Sequence, residues 1–143
     1  MIITMDEVTD IHVLAKLSQG SPNEEDAFTI RDSNNKEILR IHNLRELVDA
    51  LSNLSADEFF PSLCRTTNDE IRCDIALWIH YVLGDAVLSA KTFNLVNIHK
   101  DKPEHLKIQV FNLCFNRYLN YQELMDYSDD FSMFDNEVAP SDL

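Results

Sequence analysis

Thr67–Asp85, TNDEIRCDIALWIHYVLGD, is the segment of this 143-residue chain in which every local helix signal coincides. Ile71, Ile75, Trp78 and Val82 recur at i, i+4, i+7 and i+11, a spacing that gathers them on one face of a 3.6-residue helix. Thr67 and Glu70 stand three apart, the reciprocal capping box in which each side chain accepts a backbone N–H at the helix start. Gly84 supplies a residue at ease with positive φ where the helix has to stop. The spacing therefore predicts one buried-faced helix from Thr67 to Gly84.

Towards the N-terminus, Thr4-Met5-Asp6-Glu7 repeats the capping box. Val8, Ile11, Leu14 and Ala15 follow with helical spacing before Gly20 and Pro22, which predicts a helix over residues 5–19. Ala27–Arg31 and Glu37–Ile41 are short apolar-containing runs around Asp32-Ser33-Asn34-Asn35-Lys36. The Asx-rich centre predicts a tight turn and hence a β-hairpin. Two strands alone bury too little surface, so a helix is expected over one face.

Asn43-Leu44-Arg45-Glu46 opens a further helix to about Asn53, with Leu44, Leu47, Val48 and Leu51 as its stripe. Ser55 and Glu58 form another capping box ahead of Phe59, Phe60 and Leu63, with Pro61 limiting that helix or lying in its first turn. Beyond the central segment, Asp85 caps a helix through Leu95 that is expected to bury Val87, Leu88 and Phe93. Asn97–Lys102 reads as a polar connector, and Pro103 starts the last long element, with Leu106, Val110, Leu113 and Cys114 at helical spacing. Leu106, Ile108 and Val110 also alternate with polar residues, so a strand over 105–111 competes with the helix on periodicity.

These elements predict an α+β, predominantly helical fold: an N-terminal helix, a short β-hairpin, four to five packed helices and an acidic tail. Residues 1–120 form one globular domain in this reading, and residues 121–143 the tail. Two glycines and four prolines argue against a turn-rich all-β chain. No apolar run reaches the roughly 18 residues a membrane span needs, and MIITMDEVTD lacks the basic start of a leader peptide. Cys64, Cys73 and Cys114 are odd in number and widely spaced, which favours a reducing cytoplasm over a disulfide scaffold. A net charge of −13 disfavours nucleic acid and anionic membrane as partners and favours a basic protein surface.

The middle of the chain resembles a small prokaryotic domain family of unknown function. The resemblance rests on Asn43-Leu44-Arg45-Glu46-Leu47 and on Trp78-Ile79-His80-Tyr81-Val82-Leu83-Gly84-Asp85, with Leu88-Ser89 in place of a Leu-Ala pair. It covers residues 28–91 and departs from the family pattern at Phe59-Phe60-Pro61-Ser62, where a histidine is lacking. It implies a shared scaffold and no activity.

Candidate chemistry is sparse. His99 and His105 are six apart and Cys64 and Cys73 nine apart, neither being a compact ligand pair, so no metal and no cofactor are expected. Phosphate-cradling glycine loops and nucleophile-elbow motifs are lacking, and no catalytic residue is assigned. The charge, however, is unevenly distributed: residues 121–143 carry seven acids and no base, −7 of the total −13. Tyr127, Asp129, Asp130, Phe131, Met133, Phe134 and Asp135 interleave aromatic or apolar anchors with carboxylates, as segments that fold onto a basic groove do. The alternative is that the segment from Tyr121 extends or packs on the last helix.

The leading expectation is a non-enzymatic acidic module covering a basic surface of a partner protein, of the immunity, inhibitor or chaperone kind. Two others stand beside it. One is a small cytoplasmic enzyme or ligand-binding domain with its pocket between hairpin and helices near Trp78 and His80. The other is a homo-oligomeric scaffold pairing its apolar helix faces.

Overall fold

The structure, a computed structural model, describes residues 23–141, with side chains to Leu124 and at Asp126. The helix expected over 5–19 lies outside the described residues. The fold is α+β and mostly helical, with two short antiparallel hairpins and five helices among the described residues.

After a 3-10 turn at Glu24–Asp26, β1 (Phe28–Arg31) and β2 (Glu37–Ile41) pair antiparallel, with Phe28 opposite Ile41 and Ile30 opposite Leu39. The Asx-rich turn forms as its composition predicts. The Asp32 carboxylate accepts the backbone N–H groups of Asn34 and Lys36 at 2.9 Å each, and Asn35 takes φ 65°. Ile30 and Ile41 are fully buried, and the hairpin packs against the helices that follow.

Helix α1 (Leu44–Asn53) starts where Asn43 accepts the Glu46 N–H, at 2.8 Å, while Glu46 accepts the His42 N–H, also at 2.8 Å. Its Leu44, Leu47, Val48 and Leu51 enter the core. Helix α2 (Ala56–Leu63) carries the full capping box of Ser55 and Glu58 and continues two residues past Pro61.

The next segment corrects the reading of Thr67. Thr67 closes strand β3 (Arg65–Thr67), Glu70 opens β4 (Glu70–Arg72), and the two face each other across the turn Asn68-Asp69. Both turn residues have positive φ, 51° and 66°, the backbone of a two-residue hairpin turn whose twist suits the flanking strands. Asn and Asp tolerate that region, so turn chemistry displaces the capping box. Helix α3 (Asp74–Trp78) begins later, on Cys73, and passes into a π-helical turn at Ile79–Leu83. Gly84 ends it as expected, at φ 83°.

Asp85 caps α4 (Ala86–His99), accepting the Leu88 N–H at 3.0 Å. This helix outruns the expected end at Leu95 and takes in part of the presumed connector. It buries Leu88, Thr92 and Val96, whereas Val87 is half-buried and Phe93 faces outward at 39% exposure. Helix α5 (Pro103–Ser141) settles residues 105–111 as helix and places Leu106, Val110, Cys114, Arg117 and Tyr121 in the core. Its backbone continues without a break across residue 121. No described helix is long and apolar enough to cross a membrane.

Candidate functional site

The β3–β4 hairpin, α3 with its π-turn, and the first half of α4 enclose a groove of about 810 Å3, within the roughly 300–1,000 Å3 of small-molecule sites. Its apolar lining includes Ile71, Leu77 and Phe93, and Tyr81 stands at its side with 76% of its surface exposed. A single open side chain is ordinary on a protein surface, and it is the grouping of these residues around one groove that is informative. The π-turn accounts for the arrangement. Both Gly84 and Asp85 donate their N–H to the Ile79 carbonyl, at 3.0 and 3.2 Å, so the helix widens where His80 and Tyr81 sit. Such turns insert a residue and rotate the side chains that follow. The two rings meet edge to face at 4.6 Å.

The polar lining is largely spent on structure. Asp74 draws in both Arg72, at 2.8 Å, and Arg65, at 3.0 Å, tying the hairpin to the start of α3. The Ser89 hydroxyl donates to the Ala76 carbonyl at 2.6 Å, pinning α4 to α3. Cys73 lines the groove floor, accepts the Ala76 N–H, and has its thiol pushed up to about 12 by burial. A thiol so protonated is a small apolar wall, not a nucleophile. Burial raises Cys64 and Cys114 as well, and all three cysteines are free. Among the described residues no three His, Cys, Asp or Glu side chains converge on a point that would hold a metal ion. His99 and His105 do come together, ring to ring at 4.5 Å, because the tight link between α4 and α5 folds one beside the other.

Of the residues marked from sequence, His80 lies at this groove. Trp78 does not: it is buried, its indole N–H donates to the Asp26 carbonyl at 2.8 Å, and its ring packs at 6.1 Å from Phe28. The expected tail contacts from Tyr127 to Asp135 fall on the backbone of α5, and their side chains lie outside those described. Sequence reading assigned Tyr81 no role, since it lies off the stripe of Ile75, Trp78 and Val82, and it expected Phe93 inside, where Leu88, Thr92 and Val96 form the buried side of α4 instead. It missed the β3–β4 wall too, although Asn68-Asp69 is a turn signal.

A second polar cluster lies in the core. Arg117 of α5 grips the Asp85 carboxylate with two parallel bonds, Nε to Oδ2 and Nη2 to Oδ1, both at 2.8 Å. The Tyr121 hydroxyl donates to the same Oδ2 and accepts from Arg117 Nε at 3.0 Å. Asp85, Arg117 and Tyr121 are 4%, 7% and 1% exposed, so this cluster is shut away from any ligand and braces the fold.

Compared with protein-family models, curated proteins and solved structures, the chain matches none.

Proposed function

We propose that the protein is a non-enzymatic, cytoplasmic binding module that covers a basic surface of a partner protein, with the groove beside Tyr81 receiving the partner's anchoring side chain. The reading is carried by one observation: a groove with an open tyrosine, Leu77 and Phe93, on a chain of net charge −13. Aromatic groups in desolvated hollows supply most of the energy of such contacts. The aromatic rings of Tyr81 and Phe93 on the lining favour a lysine or arginine stem. The acids gathered in residues 121–143 speed encounter with a basic partner, because fixed charge of one sign steers association.

The test is capture from native lysate on immobilised chain, eluted with a salt gradient, beside the Tyr81→Ala variant. A basic protein that elutes with salt and is lost with Tyr81→Ala supports the proposal. Capture that is indifferent to both salt and Tyr81 overturns it. The groove's volume also favours a second reading as a small-ligand site. A thermal-shift screen separates the two, since a ligand at 100 times its Kd adds about 2.7 kcal/mol.

A further inference from the structure

Cys64 and Cys73 bracket the β3–β4 hairpin, one residue before β3 and one after β4. The register pairs Arg65 with Arg72, Thr66 with Ile71 and Thr67 with Glu70, so one step further out Cys64 stands opposite Cys73. Both keep extended backbone, φ −140° and ψ 112° at Cys64, φ −114° and ψ 100° at Cys73, which carries the strand geometry through that step. A two-residue turn makes Thr67 and Glu70 a hydrogen-bonded pair, and bonded and non-bonded pairs alternate along an antiparallel ladder. Cys64 and Cys73 therefore take a non-hydrogen-bonded position, where Cα atoms lie about 4.5 Å apart and side chains come closest. A disulfide spans Cα separations of roughly 4.4–6.8 Å.

The faces of the hairpin agree. Arg65 and Arg72 share one face, both reaching Asp74. Side chains alternate along a strand, so Cys64, Thr66, Ile71 and Cys73 share the other. On that face Cys73 is buried, while Cys64 and Ile71 are half-buried. Cys64 also acts on its neighbour electrostatically: burial pushes the Cys73 thiol up to about 12, with Asp74 and Cys64 adding to the rise.

We propose that Cys64 and Cys73 are a redox-modification site, a thiol pair that a small disulfide of the glutathione class oxidises to an intrachain disulfide across the base of the hairpin. The half-buried Cys64 is the entry point. Its thiolate attacks one sulfur of the small disulfide, whose S–S bond breaks and whose other half leaves and takes up the proton that Cys64 gave up. The Cys73 sulfur then attacks Cys64 Sγ in the mixed disulfide, and the second small thiol leaves with the Cys73 proton. Two protein thiols are oxidised, and one small disulfide is reduced to two thiols. Burial leaves Cys73 a thiolate fraction of about 10⁻⁴ at pH 8, which protects it from reagents that must diffuse to it. Against Cys64 no encounter is needed, and effective molarities of roughly 10⁵–10⁸ M for well-oriented groups offset that fraction. In a reducing compartment such a bond is a transient state set by the oxidant. The hairpin walls the groove, Cys64 ends α2 and Cys73 caps α3, so the bond fixes that wall to both helices, whatever the groove receives.

The full chain is equilibrated at pH 8 in buffers of graded reduced and oxidised glutathione, quenched in acid, alkylated in denaturant and digested with trypsin. The expected product is a single chain two hydrogens lighter, with Cys114 alone alkylated and the peptide Glu46–Arg65 joined to Cys73–Lys91. The same equilibrium in urea gives the value for an unfolded chain with eight residues between the thiols. The native fold is expected to favour the bond over that value by at least about tenfold. Cys64→Ser, which alters the half-buried member, is expected to leave Cys73 and Cys114 both reduced. Glutathione retained on Cys64, a link to Cys114 in either chain, chains joined only to one another, or a native equilibrium no higher than that in urea each overturns the proposal. So does recovery of all three thiols from an excess of oxidised glutathione.

Discussion

Arg117 holds both carboxylate oxygens of Asp85 from a position 32 residues further along the chain, and it does so inside the core. The same carboxylate caps α4 and accepts the Tyr121 hydroxyl. One side chain thereby fixes where α4 begins and how it meets α5. Removing a single member of a buried pair leaves an uncompensated charge, which costs about 3–5 kcal/mol. Arg117→Met is expected to lose that much stability in urea denaturation. Combining it with Asp85→Asn recovers part of the loss, since the neutral side chain still caps the helix. Additive losses in the double variant disprove the coupling.

Thr92 is wholly buried on α4, and its hydroxyl has no partner among the described residues. A buried polar group without a hydrogen bond costs about 1–3 kcal/mol. Thr92→Val has nearly the same shape and no such group. It is expected to raise stability by about 1 kcal/mol, read as a higher denaturant midpoint at unchanged slope.

The turn Asn68-Asp69 holds two non-glycine residues at positive φ. Asp69→Gly relieves one of them and is expected to stabilise the hairpin. Asn68→Val places a β-branched side chain there at a cost of about 1–2 kcal/mol. If residues 67–72 were instead the first turns of a helix, the glycine would destabilise and the valine would be nearly neutral. The signs of the two effects thus distinguish turn from helix.

His42 sits between Glu46, 2.8 Å from Nδ1, and Glu24, 3.0 Å from Nε2. Hydrogen bonds to Glu46 and then to Glu24 raise its pKa above the usual value. A raised native pKa means that protonation favours the folded state. Its contribution is complete below the unfolded value of about 6.5 and disappears as pH rises through the higher native value. The stability gap between wild type and His42→Gln is therefore expected to be widest near pH 6 and to close in mildly alkaline buffer. A gap independent of pH contradicts this. Glu24, lowered by His42 and then Arg40, contributes in the opposite sense, its share being lost as pH falls through its native value.

Tyr81 has 76% of its surface free and bears little of the fold. Tyr81→Ala is expected to alter unfolding free energy by no more than about 0.5 kcal/mol, while reducing capture of a basic partner. A large loss of stability assigns Tyr81 to packing instead of recognition.

Much of the architecture is legible in local chemistry. Ser55 with Glu58, Asn43 with Glu46, Asp85 before Leu88 and Gly84 at positive φ are each settled within four residues, and each forms as its residues predict. The first hairpin follows from Asp32 and its Asx-rich turn for the same reason. The reading failed at Thr67, where two local signals compete: a capping box and an Asn-Asp turn satisfy the same backbone groups in different ways. The groove lay further out of reach, because its walls are the β3–β4 hairpin and a π-turn at Ile79–Leu83, and the stripe of Ile71, Ile75, Trp78 and Val82 announces neither.

Helix starts, the first turn and the concentration of acid near the carboxyl end follow from the order of residues, since each is set by neighbours a few bonds apart. The salt link from Arg117 to Asp85 and the wall that β3 and β4 give the groove arise only when distant segments pack. Burial is a property of what lies across the core, and no stretch of chain carries that information by itself.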